Sequence, residues 1–128
     1  MRNVVFYLGL GMLLTHEMDA MPNHEWRVLP ILSSLPDATG QFAFLIAHVP
    51  IFAVVIAFVA SLNIKTRELA QKLASGFLIA HAALHFAFSG HVEYEFSSLT
   101  SNLLIYGAAL CGAMFFVTLV IERKPDAA

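Results

Sequence analysis

One cysteine in 128 residues excludes an internal disulfide and any zinc ribbon built on paired thiolates. Charge is also scarce: charged residues are 12% of the chain, against about a quarter in ordinary soluble domains. Seven Lys+Arg against nine Asp+Glu leave a net charge of −2 and no basic face, which argues against a nucleic-acid binder. No linker, low-complexity run or internal repeat divides the sequence, so residues 1–128 are expected to form a single domain. What is abundant is apolar: 59% of residues, with a mean hydropathy of +0.74. A soluble globule this small keeps much of its area in water and has no interior large enough for so much apolar surface. Lipid is the expected solvent for most of the chain.

Crossing a bilayer takes about 20 residues. Residues 41–62 are the clearest span, with His48 as their single ionisable member. A second apolar segment, 70–90, reaches full length if Gln71 and Lys72 snorkel at one end. The third, 98–121, is apolar and uncharged through its centre. At the start, Arg2 followed by apolar Val4 to Leu14 has the ingredients of a signal peptide. A small-x-small cleavage pattern is missing, however, and Glu17 and Asp19 stand where cleavage would occur. The segment is therefore read as a transmembrane helix over 3–21, giving an all-α, integral membrane four-helix bundle.

Positive residues mark the cytoplasmic side of a membrane protein. In this arrangement Arg2, Lys65, Arg67, Lys72, Arg123 and Lys124 share one side, and Arg27 alone falls on the other. Glu68, Glu122 and Asp126 lie inside, and the remaining acids outside. Both termini are thus expected in the cytoplasm, with a bacterial inner membrane as the location. The longest connection, Pro22 to Thr39, contains Pro30 and Pro36 as breakers, Asn23 as a candidate cap for a short helix, and Trp26 as an interfacial anchor.

All six histidines fall in the outer half of this arrangement. At about 1.5 Å per residue, His16 and His85 each lie roughly 21 Å from the inner surface, and His48 about 20 Å. Imidazoles facing lipid are costly, so they are expected to turn inward. His81 and His85, in His-Ala-Ala-Leu-His, share a helix face at i and i+4, as His16 and Asp19 do at i and i+3. Those spacings suit metal ligation. The expected ligands are His16, Asp19, His48, His81 and His85. Glu17, about 100° around its helix, is a bridging ligand, a general base or a contact with a neighbouring helix. Imidazole and carboxylate without thiolate fit a divalent iron, zinc or manganese and fit copper(I) poorly. One zinc with a bound water is a hydrolase pattern, and two bridged ions suit oxygen chemistry. Haem b between His48 and a histidine of the third span is the weaker fit, because the acids are unwelcome beside its edge. A polar network that merely holds the helices together uses the same residues without an ion.

Around this core, His24 and Glu25 are read either as a lid over the site or as solvated loop. His91, Glu93 and Glu95 follow the third span on a polar turn. Asn102 and Tyr106, at i and i+4, offer hydrogen bonds to a ligand or between helices. Gly9, Gly11, Gly76, Gly107 and Gly112 allow close helix approach and leave room for a homo-oligomer or a larger membrane complex.

His16-Glu17-Met18-Asp19, Glu25-Trp26 followed by Leu29-Pro30, and His48-Val49-Pro50 resemble the pattern of a family of small bacterial membrane proteins of unknown function. That resemblance implies a four-helix membrane fold and no established activity. His81 and His85 are similar to the first histidine box of membrane fatty-acid hydroxylases, but no HxxHH follows. With His16 or His48 and Asp19, they also look like the zinc set of membrane ceramidases. The chain therefore reads as a membrane metalloprotein, an oxidoreductase or hydrolase acting on a lipid or other apolar substrate. The alternative is a non-catalytic subunit carrying metal, haem or protons.

Overall fold

The computed structural model describes residues 1–123; Lys124 and Asp126, counted in the charge asymmetry, lie outside the described residues. Four α-helices follow one another: α1 (Arg2–Ala20), α2 (Asp37–Val59), α3 (Ile64–Phe88) and α4 (Leu99–Arg123). Short 3₁₀ turns, Glu25–Arg27 and Leu32–Ser34, interrupt the strap between α1 and α2. No strand occurs among the described residues, so the fold is all-α.

Local chemistry sets the helix ends. The Asn63 side chain accepts from the Lys65 and Thr66 amides and starts α3, and the Ser98 hydroxyl accepts from the Ser101 amide at the start of α4. Pro36 precedes α2, and Asp37 places an acid in its first turn, where the exposed amides favour one. Asn23 caps differently from the expectation: its amide donates to the Asp19 carbonyl and closes α1, while His24 holds the position before the 3₁₀ turn.

The tightest packing runs along α4, which lies against both α1 and α3. Two glycines make it possible. A Cβ at Gly112 would lie 2.6 Å from the Ser75 carbonyl oxygen, and one at Gly9 would lie 2.8 Å from both Cys111 and Leu78. Gly11 and Gly76 face open space instead. α2 is held mainly by α3 and by the strap. Phe6, Leu10, Val59 and Phe115 form one core, while Trp26, Phe44, Phe96 and Ile105 anchor a second one nearer the strap. Arg2 pairs with Glu122 at 2.8 Å, which places both ends of the described chain at the same end of the bundle.

Trp26 overturns its expected role. It is 2% exposed and donates its indole N–H to Asp37 at 2.9 Å, so it is a core residue rather than a surface anchor. α2 and α4 are long and apolar enough to cross a membrane, the α2 window having a mean hydropathy of 2.7. α1 carries Glu17 and Asp19, and α3 carries Lys65, Arg67, Glu68 and Lys72, which lower their hydropathy. Large apolar side chains nevertheless point outward on every helix, among them Leu8, Val49, Leu73, Phe86 and Leu110.

Candidate metal centre

α1 contributes His16, which is completely buried. α3 contributes His81 and His85 from successive turns, their ring centroids 4.6 Å apart. The His16 ring lies 4.9 Å from the first and 4.8 Å from the second, so three imidazoles converge edge to face. The strap supplies the fourth group. Glu25 places one carboxylate oxygen 3.6 Å from His16 Nε2 and the other 3.6 Å from His85 Nε2. One ligand atom from each of these residues lies within 4.8 Å of all the others.

These spacings are too long for hydrogen bonds, which close at about 2.7–3.2 Å. They are near the separation of atoms sharing one ion, since ligands about 2.1 Å from a tetrahedral metal sit roughly 3.4 Å apart. Neither ring nitrogen of His16 has a hydrogen-bond partner, nor does Glu25 Oε2. Each buried polar group left in that condition costs about 1–3 kcal/mol. A cation among them removes that cost, and the donor set of imidazoles and a carboxylate suits zinc or iron.

The strap is folded to deliver Glu25. His24 adopts a left-handed backbone at φ 48°, reversing the chain just before it. Burial of Trp26 then draws Glu25 inward. On the outer side, Arg27 bonds Asp37 at 2.8 Å and reaches Glu93 and Glu95, and His24 Nδ1 contacts Glu95 at 2.9 Å. Burial raises the carboxyl pKa of Glu25, but the nearby His16, His85 and His81 outweigh it and hold the value below the usual carboxylate range.

Tyr94 orients His85. Its hydroxyl lies 3.1 Å from Nδ1, leaving Nε2 directed at Glu25. Burial pushes the Tyr94 phenol up to about 12, so the group stays a neutral hydroxyl.

Not every expected ligand joins this group. His48 Nδ1 is 2.7 Å from the Phe44 carbonyl, and its Nε2 is 3.0 Å from Glu17. Because a carbonyl only accepts, Nδ1 carries a hydrogen, and the second contact then needs a proton on either His48 or Glu17. Both His48 nitrogens are thus engaged apart from the three clustered imidazoles. Glu17, turned away from His16 on α1, reaches across to α2. Asp19 also stands outside the group, with its Oδ2 buried and unpartnered. His91 accepts the Glu93 amide in an exposed turn. Asn102 donates to the Ser98 and Phe96 carbonyls, bracing the loop before α4, and Tyr106 is half exposed. Cys111 is buried against Gly9 and takes no part.

A cavity of about 340 Å³ joins the two polar groups. Glu25, His81, His85 and Tyr94 form one part of its lining, Glu17 and His48 another, and apolar side chains the remainder.

No curated protein and no solved structure matches the chain. Residues 2–122 match one family across nearly the whole described length, and the chain belongs to it: DUF6713, a family of unknown function.

Proposed function

We propose that this protein is an integral membrane metalloprotein in which His16, His81, His85 and Glu25 hold one divalent zinc or iron ion. The observation that carries the reading is His16: fully buried, unpartnered at both ring nitrogens, and surrounded by two further imidazoles and a carboxylate. A structural polar network would pair those atoms with each other.

The membrane reading rests on the apolar α2 and α4 and on the large side chains exposed along every helix. It takes the spans as 3–21, 41–62, 70–90 and 98–121 and both termini as cytoplasmic. The site then sits in the outer half of a bacterial inner membrane. A metal bound there supplies Lewis acidity or redox capacity. Glu17 and His48 face the same cavity and hold a proton between them, suited to general acid–base work on a substrate at the metal. The reaction class is hydrolytic or oxidative, with an apolar or lipid-derived substrate.

Elemental analysis of detergent-purified protein tests this directly. One equivalent of zinc or iron per chain is expected, lost in His81→Ala. Protein that is folded by circular dichroism yet neither carries nor takes up stoichiometric metal would overturn the reading.

A further inference from the structure

We propose that the cavity receives a single-chain amphiphile through a lateral opening between α2 and α3, with its polar head at the metal group. This deepens the reading above and rests on it. Phe44, Ala47 and Ile51 on α2 face Phe77, His81, Leu84 and Phe88 on α3, each set spaced by one turn, so the two helices form the walls of a groove. From Phe77 to Phe88 the groove runs along about 16 Å of helix.

Three of these residues belong to two surfaces at once. Ile51, Phe77 and Leu84 line the cavity and are still 50%, 49% and 53% exposed. They are therefore its rim, and the rim lies on the side of the bundle rather than its end. The strap roofs the outer end with Val28, Leu29 and Leu32, above which the Arg27 ion pairs close the surface. Access is sideways, from the medium that covers the apolar faces of α2 and α3.

Size and charge narrow the occupant. A volume of about 340 Å³ is near the lower limit for small-molecule pockets, which suits one chain and not two. The lining contains Glu17 and Glu25 but no Lys or Arg among the described residues. The positive charge there comes from the ion alone, so the head group received is an oxygen ligand for the metal.

The test uses full-length protein in detergent, loaded with Co²⁺, and two hydroxamate probes that report through the cobalt absorption spectrum. Decanohydroxamate is expected to shift the spectrum at a concentration at least about 100-fold lower than acetohydroxamate, the effect of burying roughly half of its eight additional methylenes. Ala47→Trp and Leu84→Trp, which narrow the rim, are expected to collapse that ratio. A ratio unchanged in both variants would mean that the long chain merely partitions into detergent, and would overturn the proposal. If cobalt does not bind, the metal reading fails separately, and metal-free protein still decides the opening. A dodecanol bearing a terminal diazirine should then label Ala47–Ile51 and Phe77–Leu84, with the label competed by excess dodecanol. Labelling spread evenly onto Leu103 and Val117 of α4 would overturn it.

Discussion

Glu25 Oε1 lies 3.6 Å from His85 Nε2, a separation too long for a hydrogen bond and close to that of two ligands on one ion. The same carboxylate stands equally far from His16 through its other oxygen. Glu25→Gln keeps the shape and removes the charge. It is therefore expected to weaken zinc binding while leaving the helices intact, and His16→Ala is expected to abolish stoichiometric binding. Competition with a chromophoric chelator measures both.

Tyr94→Phe removes the hydroxyl beside His85 Nδ1 without touching the carboxylate. Loss of such an orienting partner typically reduces metal affinity by about 10–100-fold. The expected result lies between wild type and Glu25→Gln in the same competition assay. An affinity equal to wild type would show that His85 is oriented by packing against Phe96 alone.

The histidine part of this centre was legible in the sequence, because helical spacing fixes which side chains share a face. His81 and His85 needed only the i, i+4 rule, and counting residues from the membrane surface brought His16 to their level. Rotation about each helix was not legible. His48 has a matching depth, yet α2 stands off from the bundle, and its imidazole meets Glu17 instead. Glu25 was visible only as a lid or loop residue. Its position follows from a left-handed turn at His24 and burial of Trp26, neither of which has a periodic signal. The adjacent Glu-Trp pair was the available clue, since burying that indole carries its neighbour inward. Tyr94 had no signal at all, being one aromatic residue in a polar turn.

Glycine positions separate packing from helix propensity. Alanine favours a helix over glycine by about 0.8–1.0 kcal/mol. Gly11→Ala and Gly76→Ala place the methyl in open space and are expected to raise the Tm in detergent or leave it unchanged. Gly112→Ala forces a carbon to 2.6 Å from a backbone oxygen of α3. Separating α3 from α4 should cost about 1–3 kcal/mol and lower the Tm despite the better propensity.

Arg27 holds the strap from outside through Asp37, Glu93 and Glu95, while Glu25 reaches the imidazole cluster from inside. Arg27→Ala is expected to leave metal stoichiometry intact and speed metal release several-fold, measured by stopped-flow transfer to a chelator. High salt should speed release from the wild type by screening the same pairs, and have less effect on the variant.

Glu17 and His48 provide the sharpest separation between a proton-holding pair and a pair of metal ligands. With Nδ1 donating to the Phe44 carbonyl, a neutral His48 presents Nε2 as an acceptor. The amide of Glu17→Gln can donate to that nitrogen, so this variant is expected to keep wild-type Tm and full metal content. Glu17→Ala leaves the half-buried imidazole without its partner and should cost about 1–3 kcal/mol, still without loss of metal. Loss of the metal in Glu17→Gln would instead make Glu17 a ligand, bringing α1 to the ion through a carboxylate as well as through His16.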